Sequence, residues 1–207
     1  MGFFEMIVGF LFIFLDFTFQ GVNVLPDFVG YFILFLAVDH IGKYTHNGLF
    51  TNLKKPIILL FVVSCIAFAM EHFSPLVGVL GNPVSLEGQI FWLLFFATRL
   101  LLKVYVYVLL CKGIYHESII VKQQALAAQS RFVMKMAITY EVALVIFMIL
   151  VQFNVGDIVY EGEVSQYIAG ALFVFAIVVF VLLVRLINHT ERVFAPKKED
   201  EEEELHT

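Results

Sequence analysis

The sequence predicts an all-α fold: a polytopic membrane helical bundle of six transmembrane helices, with both termini in the cytoplasm. Three observations predict it. Of the 207 residues 61% are hydrophobic and only 15% charged, more apolar surface than a water-soluble domain of this size can hide. Six apolar stretches approach the roughly 20 helical residues that a hydrocarbon core about 30 Å thick requires. Lys and Arg are confined to alternate loops, as in membrane proteins whose cytoplasmic loops retain positive charge.

The first stretch, Phe3 to Phe19, has no Lys or Arg ahead of it, carries Glu5 where a secretory signal carries positive charge, and is followed by no small-x-small cleavage site, so it reads as a retained span. The opening MGFFEM has Met6 where myristoylation requires Ser or Thr. Glu5, Gly9, Asp16 and Gln20 recur at helical spacing and are expected on one face, turned into the bundle. After the turn residues QGVN, Pro26 opens the second and shortest stretch, Phe28 to Ile41. Asp27 is expected in its first turn, outside the membrane, where an acidic side chain meets the positive end of the helix dipole. Asp39 falls near its inner end, beside Lys43.

Span three is expected from Pro56 to Phe73 and span four from Gln89 to Cys111, separated by SPLVGVLGNP. Span five runs from Val133 to Phe153 and span six from Ser165 to Ile187, separated by a break at NVGD. Residues Ile114 to Arg131 carry good helix formers and continue span four as either an interfacial helix or a plain connector. On span six, Gln166, Gly170, Arg185 and His189 lie roughly on one side. The chain divides into a six-span domain, 1–193, and a tail, 194–207, whose six consecutive acidic residues mark it as disordered and solvated.

Eleven of the thirteen basic residues lie in the second loop, the fourth loop with its flanks, and the end of the last span with the tail. Loops one, three and five hold no basic residue and carry Asp27, Glu87, Asp157, Glu161 and Glu163. The outer face is therefore acidic and both termini are inside.

The two remaining cations, Arg99 and Lys103, sit inside span four. Together they oppose insertion by about 5 to 7 kcal/mol, against roughly 4 to 7 kcal/mol returned by the apolar residues around them. At i,i+4 they share a face and must find carboxylates, water or headgroups. Glu141, about 12 Å deep on span five at 1.5 Å per residue, is the natural partner of either. The expected buried charge network is Arg99, Lys103, Glu141, Asp16 and Asp39, with Asp39 facing Arg185 or Arg99; Glu5, Arg185 and Asp16 can also snorkel to the interface. Such a network either fixes helix register or forms a substrate or proton path.

Cys65 and Cys111 form no C-x-x-C and read as buried thiols. There is no H-E-x-x-H, no phosphate-binding G-x-x-x-x-G-K-[ST], no G-x-S-x-G and no pair of glycines four apart. No enzyme activity, cofactor, metal or nucleic-acid contact is expected.

The stretch GVNVLPDFVGYFILFLAV, Gly21 to Val38, resembles a recurring LPDF-hydrophobic-GY pattern of small polytopic membrane proteins of Gram-positive-type bacteria. The resemblance covers spans one and two, and implies a bacterial plasma membrane and no particular activity. In size and span number the chain is also similar to the substrate-binding subunits of energy-coupling-factor vitamin transporters, although those carry small residues at four-residue spacing in the first span, where this chain has Phe. The leading functional expectation is a non-enzymatic module that binds or regulates a membrane partner or a second copy. The alternative is a small transporter or solute-binding subunit using the buried charges.

Overall fold

The computed structural model describes residues 2–14, 18–19, 22–23, 27–44, 48–72, 86–152 and 163–194. Its helices are α1 (Phe3–Phe14), α2 (Asp27–Tyr44), α3 (Gly48–His72), α4 (Leu86–Ile120), α5 (Gln124–Gln152) and α6 (Glu163–Phe194). Between α1 and α2, strands β1 (Thr18–Phe19) and β2 (Val22–Asn23) pair antiparallel, Thr18 opposite Asn23 and Phe19 opposite Val22. Among the described residues the fold is all-α apart from this short hairpin. Three helices are long and apolar enough to cross a membrane, over Phe50–Ala69, Leu94–Ile120 and Gln166–Phe194; α1 is a shorter apolar helix.

Two elements differ from the sequence expectation. The first apolar stretch is not one helix to Phe19, because the backbone pairs as a hairpin from Thr18 to Asn23. At 1.5 Å per residue α1 is about 18 Å long. Of the polar stripe expected on it, Gly9 faces α2 and Glu5 lies 3.8 Å from His40 of α2, while Asp16 and Gln20 lie outside the described residues. The second difference is that Ile114 to Arg131 is not continuous helix. α4 stops at Ile120 and Lys122 takes φ +58°, the left-handed region.

That stop is a complete capping motif. The Gln123 N–H donates to the Ser118 carbonyl at 2.7 Å and the Lys122 N–H to the Ile119 carbonyl at 3.0 Å, the paired bonds that satisfy a helix's last carbonyls around a left-handed residue. The Gln123 carbonyl then accepts from Ala127 at 3.1 Å, so the residue that ends one cap opens α5.

The helices run alternately up and down. Each packs on its neighbours in the chain, and α6 closes the ring against α1. The direction of each pair is read from its contacts: Asp39 of α2 meets Lys54 of α3, Phe50 of α3 lies against Gly113 of α4, Ser130 of α5 donates to the Cys111 carbonyl of α4 at 2.6 Å, and His189 of α6 lies 2.9 Å from Gln129 of α5.

Small residues set the tightest of these contacts. A Cβ on Gly30 would stand 2.7 Å from the Gly9 carbonyl, a Cβ on Gly9 would stand 2.9 Å from the Gly30 carbonyl, and one on Gly2 would stand 2.6 Å from the Ala37 carbonyl. Gly2 and Gly9 on α1's side thus oppose Ala37 and Gly30 on α2 at seven-residue spacing, two helical turns, and the backbones meet along the seam. A four-residue search for glycine pairs passes over this arrangement.

The centre of the ring is apolar and aromatic. Met6 and Phe10 of α1, Leu34 of α2, Leu53 of α3 and Leu110 of α4 are all buried. Tyr107 stacks on Phe10 at 6.0 Å, and Phe14 reaches Tyr107, Tyr140 and Phe180 at 6.4, 6.3 and 5.7 Å, so one ring from α1 touches three other helices. The outward faces are also apolar, with Ile58, Leu59, Val62 and Ile66 exposed on α3 and Phe173, Val174, Ile177, Val178 and Val181 on α6. An exterior of this kind suits a bundle solvated by hydrocarbon rather than water.

Candidate functional site

On α4, Arg99, Lys103 and Tyr107 follow one another at four-residue spacing and therefore share one face. Opposite them α5 presents Tyr140, Glu141 and Leu144, α1 ends in Ile13 and Phe14, and α2 begins with Asp27. These four helices enclose a half-open cavity of about 270 Å³. Phe96 and Leu100 complete the α4 wall.

Among its described lining residues the cavity carries two cations, Arg99 and Lys103, and two carboxylates, Asp27 and Glu141. Arg99 and Asp27 form an ion pair through Nη2 and Oδ2, with side chains 25% and 12% exposed. Glu141 is 2% exposed, and both Lys103 and Arg99 act on it electrostatically. Tyr107 and Tyr31 are buried within electrostatic reach of Glu141, and the Tyr31 hydroxyl has no hydrogen-bond partner among the described residues. Phe14, Tyr107 and Tyr140, which pack on one another, all line the cavity.

Arg99, Lys103 and Glu141, singled out by their cost in a span, thus line one cavity. Asp39 does not belong with them. It sits towards the other end of α2, pairs with Lys43 at 3.1 Å and is also paired with Lys54, rather than with Arg185 or Arg99. The reason is that α2 packs on α3, which brings Lys54 to Asp39, whereas Arg185 is on the exposed side of α6. Asp16 lies outside the described residues. Gln166 and Gly170 of α6 are exposed and take no part in the core.

Asp27 is the site residue that the sequence reading misplaces. Its position in the first turn of α2 is as expected, but it is turned inward on Arg99 instead of standing free outside. This pair holds the start of α2 against α4. Tyr107 and Tyr140 are also missed, although the spacing that couples Arg99 to Lys103 extends one turn further to Tyr107.

A second polar group sits where α4, α5 and α6 meet at the bundle's basic end. It contains the Ser130 to Cys111 bond, the His189 and Gln129 contact, and Arg131 over the Tyr115 ring at 5.2 Å. Glu117 is buried nearby on α4, with Oε1 lacking a hydrogen-bond partner among the described residues. Of the two thiols Cys111 is buried and Cys65 half-buried, and both are free.

Comparison with known proteins returns no matching family model, no matching curated protein and no matching solved structure.

Proposed function

We propose that this chain is a six-span protein of the bacterial plasma membrane, with both termini in the cytoplasm, that holds a small polar solute in the charged cavity as a transporter or as the binding subunit of one. It is not an enzyme on this reading. The observation that carries the proposal is the cavity: about 270 Å³, half-open, and lined by two cations, two carboxylates and two tyrosines contributed by α2, α4 and α5. Ionisable groups at membrane depth are costly and usually line a solute or ion path.

The arrangement of the chain supports the membrane setting. Every basic residue of the described helices other than Arg99 and Lys103 falls in the half of the bundle where α2, α4 and α6 end and α3 and α5 begin, the distribution expected of a cytoplasmic face. The break after α1 fits as well. Non-helical backbone at membrane depth is tolerated where it is packed in protein or borders an aqueous cavity, and α1 ends on Phe14, a wall of this one. The other role that the sequence leaves, a module regulating a membrane partner, rests on short loops and the lack of a catalytic set; the cavity favours solute binding.

Native mass spectrometry of the full chain, purified in mild detergent without an overexpressed partner, tests this. The expected result is a small molecule retained by the wild type and lost from Lys103→Met. A co-purifying membrane protein with no retained small molecule would favour the partner-binding module instead.

A further inference from the structure

We infer that the outward face of the α4–α5 pair binds an anionic phospholipid, its phosphate held by Lys112, Arg131 and Lys135 and an acyl chain laid along the apolar strip beyond them. The inference goes beyond the solute reading and does not use the cavity; it rests only on the membrane setting proposed above. Three observations carry it.

The first is convergence. Arg131 of α5 lies over the Tyr115 ring of α4 at 5.2 Å, so these two residues are on one side of the helix pair. Lys112 precedes Tyr115 by three residues and Lys135 follows Arg131 by four, so each shares a face with that neighbour. The Ser130 bond to the Cys111 carbonyl sets the register: Lys112 is level with Gln129, and Lys135 stands about 9 Å further from the basic end at 1.5 Å per residue. Side chains lean towards the start of their own helix. Because α4 runs towards the basic end and α5 away from it, Lys112 and Lys135 lean towards each other, on either side of Arg131. All three cations are exposed. Lys112 is about 140° around α4 from Tyr107, and Lys135 about 120° around α5 from Glu141, so this face is not the cavity's.

The second is charge. Elsewhere at the basic end, Lys43 and Lys54 both pair with Asp39. Among the described residues Lys112, Arg131 and Lys135 have no carboxylate partner. Of the acids on the two helices, Glu117 and Glu141 are buried and Glu87 is at the far end of α4. A lipid phosphate supplies the counter-charge, taken by Arg as a fork and by Lys as a point charge. A zwitterionic headgroup brings a further cation to a face that already holds three.

The third is the strip itself. Leu101 and Tyr105 continue the Lys112 face of α4, Val142 and Ile146 continue the Lys135 face of α5, and all four are exposed. From Lys135 to Ile146 is about 16 Å, half of a hydrocarbon core about 30 Å thick, and therefore the depth of one leaflet.

The test is native mass spectrometry of the full chain in mild detergent, with phosphatidylglycerol and phosphatidylcholine of identical acyl chains added in equal amounts. Phosphatidylglycerol adducts are expected to exceed phosphatidylcholine adducts by at least about ten-fold, since each cation near an anionic surface favours it by roughly five-fold. Lys112→Gln, Arg131→Gln and Lys135→Gln should each lose about that factor, and the triple variant should bind the two lipids alike. A control triple variant, Lys55→Gln, Arg185→Gln and Arg192→Gln, removes exposed cations from α3 and α6 and should keep the preference. If the control loses as much as the test variant, positive charge in general is responsible and the site falls. Inorganic phosphate in large excess should not displace the lipid; displacement would make the ligand a free anion. A preference that appears only when the chain is ended after Phe194 would make the acidic run Glu199 to Glu204 the occupant and overturn the lipid. Equal adducts of both lipids on the wild type sink this site alone, whereas no retained lipid of either kind takes the membrane setting with it.

Discussion

Asp27 carries the sharpest lesson at the scale of single residues. An acid just after a proline at a helix start is the pattern of a solvated cap, and its sequence surroundings give no sign of a partner 72 positions away. In the folded chain its side chain is 12% exposed and paired with Arg99. Replacing Asp27 by Asn is expected to cost about 2 to 3 kcal/mol, less than the roughly 3 to 5 kcal/mol of removing one partner from a fully buried pair, because Arg99 keeps some access to water. Thermal unfolding in detergent measures it, and the double variant with Arg99→Gln should lose distinctly less than the sum of the two single losses. Strict additivity would show that the pair is not coupled. Asp39 differs because its partners Lys43 and Lys54 sit on a more open surface and tie α2 to α3, so its bonds organise packing and not the cavity. Arg99, Lys103 and Glu141 were legible from sequence because a charge inside an apolar run is conspicuous whatever its partner. Tyr31 and Tyr107 were not, since a tyrosine in such a run is indistinguishable by type from any other buried aromatic.

At the scale of elements, helix existence was legible and helix ends were not. Apolar length predicts that a helix forms; where it stops depends on a few backbone bonds. The turn from α4 to α5 illustrates this, because the sequence from Ile114 to Arg131 has neither glycine nor proline, the usual marks of a stop. Lys122 takes the left-handed conformation all the same, held by the bonds from Gln123 to Ser118 and from Lys122 to Ile119. A non-glycine residue pays about 1 to 2 kcal/mol for that conformation. Lys122→Gly is therefore expected to stabilise the protein by about 1 kcal/mol, seen as a higher Tm in detergent; a lower Tm would mean that the lysine side chain contributes more than its backbone costs. The end of α1 was hidden for a related reason. Phe3 to Phe19 carries no glycine or proline stop after Gly9, yet Thr18–Phe19 pair with Val22–Asn23 as strand rather than helix. The α1 and α2 seam was legible in principle, as small residues seven apart in two segments, but such spacing acquires meaning only once the two segments are known to face each other.

For the whole molecule, the ring of antiparallel helices puts the basic residues at one end and the cavity within the bundle, off-centre towards the α1–α2 hairpin. The six-span reading with cytoplasmic termini makes a prediction at this scale. In a chain with Cys65 and Cys111 replaced by Ala, a cysteine at Gln123, in the exposed turn between α4 and α5, should resist a membrane-impermeant maleimide in intact cells and react in inverted vesicles. Reaction in intact cells would overturn that orientation.

The sequence by itself determined an all-helical, apolar-faced chain with a few charges it could not leave alone, because hydropathy and the cost of an intramembrane charge are properties of each segment taken separately. Only the tertiary structure decided that Asp27 answers Arg99, that Asp39 answers lysines instead, and that two cations, two carboxylates and the rings of Phe14, Tyr107 and Tyr140 line one cavity. The physical reason is that pairing is set by distance in space. Here a glycine seam brings the α1 and α2 backbones together, and the first residue of α2 meets Arg99 of α4 across the bundle.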